Sequence, residues 1–152
     1  MLDRDAKDEA EALAYALESG FATLDQAKDW AYSRIATEDK PSEPLLELTG
    51  PNLHPTDAVH NLRDVSGRPR DVETLRRILR RFGSVLRADP KLDSAIARAL
   101  FSMAIDPEWS ACAGDLTRSL YSFDDELDLA RTGVYGDRAE VVLRMQAFLD
   151  EA

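Results

Sequence analysis

The sequence is poor in the residues that mark secreted proteins and metalloproteins. It has one cysteine, Cys112, and two histidines. A single cysteine excludes an intramolecular disulfide and favours a reducing compartment. No stretch of about 18 apolar residues occurs, and the charged start Met1–Asp5 leads into no apolar segment of the kind that a secretory signal needs. We therefore expect a soluble, unexported protein of the cytoplasm that does not bind membranes.

Motifs of catalysis and cofactor binding are also missing. No glycine-rich phosphate loop and no glycine-flanked nucleophile turn occur. His54 and His60 are six residues apart, which places them on different sides of a helix, unlike the i, i+4 pair of a helical zinc site. Cys112 falls in an apolar stripe, where a thiol packs instead of reacting. We expect no metal, no cofactor and no enzymatic activity. An enzyme with a carboxylate site assembled from distant residues is a further alternative.

Strand-like alternation is absent, whereas apolar residues recur at helical spacing along most of the chain. Thr23 and Gln26 fit a capping box, and the dipeptides Asp89-Pro90 and Asp106-Pro107 combine an N-cap acceptor with a proline in the first turn. A length of 152 residues suits one domain with its own core. We predict an all-α fold over residues 1–152, a single compact domain of about six or seven helices in an orthogonal or bundle-like array.

A proline-rich segment at about 38–56 interrupts the helical pattern. It holds four of the seven prolines, and proline removes a backbone donor and clashes inside a helix. We predict an irregular crossover with room for one short helix that begins near Ser42 and ends at Gly50. Its leucines either cap the core or form an exposed apolar patch.

Two helices after this crossover have distinctive patterns. The helix predicted to end near Ile105 carries one apolar face and, opposite to it, Phe101 and Ile105, so we expect it to be central. The helix that begins at Asp106-Pro107 is predicted to reach Phe123. A short helix is then expected to restart at Asp124 or Asp125.

Charge is the most informative feature of the chain, because it is segregated. The net charge is −10. Residues 60–100 carry ten basic and five acidic side chains, whereas 1–59 carry five basic against thirteen acidic and 101–152 carry four against eleven. Such a distribution affects solubility, association rate and the choice of partner.

The basic middle is concentrated on one predicted helix over 71–87. Its apolar residues lie on one arc, and Arg76, Arg77, Arg80 and Arg81 lie opposite. This face either is solvated and pairs with acidic groups of the same chain or of a dimer, or binds an acidic protein or nucleic acid. The acidic pI of about 4.6 and the lack of interleaved aromatics argue against nucleic acid without excluding it.

The densest acidic cluster consists of Asp124, Asp125, Glu126 and Asp128. Paired carboxylates can bind a divalent cation or divide acid and base roles, but this spacing matches no calcium loop. If a helix begins at this cluster, the helix dipole explains the acidic residues without a ligand.

One segment resembles a family of small uncharacterised bacterial helical proteins. The resemblance rests on Trp30-Ala31, Ile35 and the run Glu43–Leu48, about a seventh of the chain. It implies a bacterial accessory protein and attaches no activity or site residue to any position.

These observations favour a non-enzymatic protein-interaction module. The leading hypothesis is an immunity-type inhibitor that presents acidic helix faces to a basic effector, with self-association as another source of contacts. A regulatory nucleic-acid-binding protein that uses the arginine-rich helix is the alternative. The predicted acidic contact residues are Asp3, Asp5, Asp8, Glu9, Glu11, Asp124, Asp125, Glu126 and Asp128.

Overall fold

The computed structural model describes residues 4–65 and 71–152, and over these residues it is all-α, without strands. The predicted fold class is confirmed. Backbone contacts divide the chain into two compact units, Met1–Pro69 (unit 1) and Arg70–Ala152 (unit 2). Each unit is described by itself, and the single-domain interpretation stays a prediction.

Unit 1 contains four helices within its described residues. They are α1 (Arg4–Ser19), α2 (Leu24–Thr37), α3 (Glu43–Glu47) and α4 (Pro55–Asp64). Helix α2 begins at the predicted capping box. The Gln26 amide donates to the Thr23 hydroxyl at 3.2 Å, and the Thr23 amide donates to the Gln26 side chain at 2.8 Å. Between α2 and α4 only the short α3 forms, as the prolines require.

The core of unit 1 is built around small side chains. Helix α1 packs along α4, α2 contacts both of them, and α3 contacts α2 and α4. Alanines dominate the buried faces of α1 and α2, which allows the helix axes to approach closely. The crossover contributes Leu45 and Leu48, both buried, whereas Leu46 is half exposed. The core cluster comprises Ala10, Ala14, Ala27, Ala31, Leu45, Leu48, Ala58, Leu62 and Val65.

Unit 2 contains the remaining described helices. They are α5 (Val72–Ala88), α6 (Asp93–Ile105), α7 (Pro107–Ala113), α8 (Thr117–Arg131) and α9 (Arg138–Glu151). Helix α6 packs against α5, α7 and α8, and α9 packs against α5 and α8. Helix α6 thus contacts three of the other helices described in this unit, but its second apolar face, on which the prediction of a central position rested, is not buried. Phe101 is 37% exposed and Ile105 is 57% exposed.

The helix break near residue 120 lies earlier than predicted. Helix α7 ends at Ala113, and Gly114 caps it with a φ of +54°, which glycine adopts readily. A short 3-10 turn at Gly114–Leu116 then leads into α8. Helix α8 then runs without interruption from Thr117 to Arg131. The predicted restart at Asp124 or Asp125 is wrong, because the backbone turns at the glycine and not at the carboxylates.

None of the helices in the described parts of the chain combines the length and the apolar character needed to cross a bilayer.

Candidate functional site: a cleft between α6 and α8

A surface cleft of about 380 Å³ lies between α6 and α8, entirely within unit 2. Positions 94, 98 and 101 share one side of α6, because they are separated by four and three residues. The facing side of α8 contributes residues from 121 to 131 at similar spacing. The lining residues are Ser94, Arg98, Phe101, Tyr121, Asp124, Asp125, Leu127, Asp128 and Arg131.

An aromatic pair forms the apolar part of the cleft. The rings of Phe101 and Tyr121 meet edge to face, with centroids 5.7 Å apart and an interplanar angle of 78°. Such a pair is worth about 0.5–1.5 kcal/mol beyond the burial of its area. Tyr121 is 43% exposed, so both rings also present area to solvent. Ile105 extends this exposed face, since it follows Phe101 by four residues on α6.

The acidic part of the cleft comes from the second half of α8. Asp128 is held by Arg131 at 2.7 Å, whereas Asp124 and Asp125 make no ion pair among the described residues. Arg144 of α9 binds Glu126 at 3.1 Å. The position of these carboxylates corrects the dipole interpretation, because Asp124 and Asp125 lie at the middle of α8 and not at its N-terminus. The helix dipole acts within the first and last turns and does not explain this cluster.

The acidic residues predicted in α1 do not form an exposed face. Asp8 and Glu11 are each 1% exposed, and Lys7 binds Glu11 at 3.1 Å. Glu9 accepts a hydrogen bond from the Trp30 indole at 2.7 Å. Burial of Asp8 and Glu11 leaves these carboxylates little surface to offer a partner. Asp3 and the side chain of Asp5 lie outside the described residues.

The arginines of α5 are largely tied into unit 2. Arg77 pairs with Glu73 on the same helix at 3.2 Å, and Arg80 donates to the Ala152 carbonyl at 3.1 Å. Arg76 and Arg81 are exposed, and Arg76 makes no ion pair among the described residues. These contacts favour the interpretation in which the face pairs within the chain.

Nothing in the described residues resembles a metal centre. No group of three or more histidine, cysteine, aspartate or glutamate side chains that could hold a metal occurs there. His54 is the N-cap of α4, since its Nδ1 accepts from the Thr56 amide at 3.2 Å, and His60 is exposed. The Cys112 thiol donates to the Trp109 carbonyl at 3.3 Å.

A second cleft, of about 490 Å³, lies in unit 1 where α3 and the turn after it meet α4. Glu47, Asp57 and His60 line it. It contains no tryptophan, tyrosine or arginine, so it lacks the side chains that carry most binding energy at protein interfaces.

Sequence reasoning found the carboxylates of the α6–α8 cleft but missed its arginine and aromatic side chains. Arg98 belongs to α6 and was not grouped with the acidic cluster, because the proximity of α6 and α8 is a tertiary feature. A signal was present in Phe101 and Ile105, since a second apolar face indicates either a central helix or an exposed contact surface.

No protein-family model, no curated protein and no solved structure matches this chain. The resemblance to small bacterial helical proteins thus stays a prediction.

Proposed function

We propose that the protein is a non-enzymatic interaction module whose α6–α8 cleft binds a cationic, amphipathic segment of a protein partner. One observation carries the proposal: two carboxylates without ion pairs, Asp124 and Asp125, lie beside the exposed Phe101–Tyr121 pair. A segment with lysine or arginine on one side and leucine-like residues on the other would satisfy both parts of the cleft.

The chemistry of the lining fits a protein partner. Tyrosine, which Tyr121 contributes here, is enriched among the residues that carry most of the binding energy at protein interfaces. Asp124 and Asp125 make no ion pair among the described residues, and their negative charge would steer a basic partner and accelerate encounter more than it strengthens the final complex. Association should therefore slow markedly as salt is added.

An immunity-type inhibitor is the role that this binding mode would serve. Its partner would be a basic effector whose cationic segment is covered when it occupies the cleft. The acidic residues of α1 have no part in this proposal, because Asp8 and Glu11 are buried. The contact surface that we propose is confined to unit 2.

A synthetic 18-residue amphipathic helix of lysine and leucine is a suitable probe, with affinity and salt dependence measured by isothermal titration calorimetry. The test variant is Asp124→Asn/Asp125→Asn, and the matched control is Asp39→Asn/Glu43→Gln, which removes the same charge from exposed positions of unit 1. We expect the test variant to bind about tenfold more weakly at low salt and to lose much of the salt dependence.

The control should bind as the unmodified protein does, since Asp39 and Glu43 lie outside the cleft. If the two double variants lost affinity equally, the effect would depend on net charge alone and not on the cleft. That result would contradict the proposal. Absence of binding by the unmodified protein at low salt would contradict it as well.

A further inference from the structure

The turn between α8 and α9 exposes two large apolar side chains. Val134 is 71% exposed and Tyr135 is 77% exposed, which are the highest values among the large hydrophobic residues that the structure describes. Single exposed apolar residues are ordinary, but here two are adjacent at the tip of one turn, next to the proposed interface. Arg131, which lines the cleft, is only three residues before Val134.

The turn is fixed by backbone hydrogen bonds at its start. The Gly133 amide donates to the Ala130 carbonyl at 3.2 Å, and the Val134 amide donates to the Leu129 carbonyl at 3.0 Å. Together with the φ of +74° at Gly133, these bonds form a Schellman motif. Thr132 adds side-chain bonds to the last carbonyls of α8.

The end of the turn is fixed as well. Gly136 has a φ of +84°, and Asp137 then caps α9 by accepting from the Ala139 amide at 3.1 Å. Val134 and Tyr135 are thus held between two defined helix ends. Because the turn is already ordered, binding of a partner to these side chains would cost little conformational entropy. A low entropic cost is what makes an anchor residue effective.

The fold itself does not use these side chains. In a Schellman motif the residue at the Val134 position commonly packs against the last turn of the helix, yet 71% of Val134 remains exposed. Tyr135 makes no ring contact or hydrogen bond through its side chain among the described residues. Their apolar area is available to another molecule.

We infer that Val134 and Tyr135 form an anchor that inserts into an apolar pocket of the protein partner, and that lysine or arginine residues line the rim of that pocket. The inference rests on the proposed function, because it assigns the anchor and the partner's complementary surface to the same interface. Tyrosine suits this position, since it supplies large contact area with few rotatable bonds.

The charges beside the turn indicate the basic rim. Asp137 and Glu140 follow the turn, are exposed, and make no ion pair among the described residues. The nearby Arg131 is already bound by Asp128. Arg138, just after the turn, is bound by Asp93. The charge left unpaired beside the turn is therefore negative, which favours a cationic rim and disfavours an anionic lipid surface.

Photo-crosslinking tests the anchor directly. Full-length protein with p-benzoylphenylalanine in place of Tyr135 is compared with protein carrying it in place of Tyr32, a 57% exposed tyrosine of unit 1. After irradiation in lysate of the source organism, the crosslinked residue of the partner is identified by mass spectrometry. We expect a crosslink from position 135 alone, to an apolar pocket that lysine or arginine surrounds. No crosslink, or equal crosslinking from both positions, would overturn the inference.

Affinity measurements with the purified crosslinked partner provide the second readout. We expect Tyr135→Ser to weaken binding by at least about tenfold and Tyr32→Ser to leave it unchanged. The lysine–leucine peptide has no pocket, so Tyr135→Ser should bind it as the unmodified protein does. An unchanged affinity of Tyr135→Ser for the partner would overturn the anchor alone. Failure of the proposed cleft would appear separately, as unchanged peptide binding by Asp124→Asn/Asp125→Asn.

A lipid surface is the competing occupant. Co-sedimentation with vesicles of phosphatidylcholine and phosphatidylglycerol should show no binding of the unmodified protein. Vesicle binding that Tyr135→Ser abolishes would overturn the inference in favour of a membrane.

Discussion

Arg138 at the start of α9 clamps the buried Asp93 at the start of α6. Two guanidinium nitrogens donate to the two carboxylate oxygens, each at 2.7 Å. Asp93 is 1% exposed, and its Oδ1 also accepts from the Ser94 amide at 2.8 Å. The hydrogen bonds to Asp93 and its charge raise the pKa of Arg138 above its usual range, and burial opposes this shift only weakly. The pair joins two helices that are distant in sequence.

Removing this clamp should destabilise unit 2. Arg138→Ala leaves a buried carboxylate with only its local amide, and breaking a buried ion pair costs about 3–5 kcal/mol. The Arg138 side chain is 52% exposed, so solvent screens the pair, and we expect the free energy of unfolding to fall by only about 2 kcal/mol. Urea denaturation measures the change. The matched control is Arg144→Ala on the same helix, which breaks an exposed pair with Glu126 and should cost about 0.5 kcal/mol.

The pH dependence of this difference follows from the raised pKa of Arg138. A cation whose pKa is raised on folding contributes stability in full below its unfolded pKa, and that contribution is lost only as pH rises through the folded value. Even in the unfolded chain an arginine stays protonated at about pH 10 and well above it. The difference between the unmodified protein and Arg138→Ala should hence be the same at about pH 7 and about pH 10. A decrease at about pH 10 would contradict the assignment of this contribution to Arg138.

Helices α5 and α9 approach each other closely at Gly83. A Cβ atom there would lie 3.1 Å from the Leu149 Cβ and 2.8 Å from the Asp150 Oδ1. The Asp150 carboxylate can move only by giving up its bonds from Gln146 and Arg87, and Leu149 can yield only if α9 shifts. Overpacking costs about 1–3 kcal/mol, against a helix-propensity gain of about 1 kcal/mol for replacing glycine. We expect Gly83→Ala to destabilise the protein by about 1 kcal/mol in urea denaturation.

The control for this prediction is the next residue. Ser84 is exposed on the same helix, so Ser84→Ala should be neutral or slightly stabilising. If Gly83→Ala were stabilising by as much as helix propensity alone predicts, the close approach of α5 and α9 would be wrong.

The helices could be predicted because the signals that define them involve residues close together in the sequence. The capping box at Thr23 depends on one neighbour three residues away, and the arc of α5 depends only on helical period. The helix boundary that was predicted at Asp124 or Asp125 falls inside the continuous helix α8 and shows where local signals compete. Gly114 and the carboxylates from Asp124 onward are both compatible with a helix boundary, and the sequence alone does not decide between them.

The candidate site was only half predictable for a different reason. Asp124 and Asp125 are adjacent in sequence, but Arg98 reaches the same cleft through the packing of α6 on α8. Burial of Asp8 and Glu11 was missed because charged residues normally mark a solvated face. An exposed role was therefore predicted for the acidic face of α1, whereas tertiary packing buries Asp8 and Glu11.

Gly133 determines the conformation of the turn that presents Val134 and Tyr135. Its φ of +74° lies in the left-handed region, where a side chain costs about 1–2 kcal/mol. We expect Gly133→Ala to lower stability by about 1 kcal/mol in thermal denaturation. Gly133→Asn should lose less, because asparagine tolerates this conformation. Equal effects of alanine and asparagine would indicate that the turn does not depend on the left-handed backbone.

Phe101 and Phe82 provide a contrast between a surface and a core aromatic residue. Phe82 is 1% exposed, and Phe82→Ala should cost about 3–5 kcal/mol through the cavity that it leaves. Phe101 is 37% exposed and pairs with Tyr121, so Phe101→Ala should cost only about 1 kcal/mol. Urea denaturation of both variants checks this order.

Phe101→Ala should affect binding more than stability. If the cleft binds the lysine–leucine peptide as proposed, loss of the ring removes the apolar half of the site, and the affinity should fall by about tenfold. Leu46→Ala is the control, because Leu46 is 50% exposed in unit 1 and lies outside the cleft. Calorimetry under conditions where every variant is folded separates the two effects. Unchanged affinity of Phe101→Ala would show that the carboxylates act without the aromatic pair and would restrict the site to electrostatic recognition.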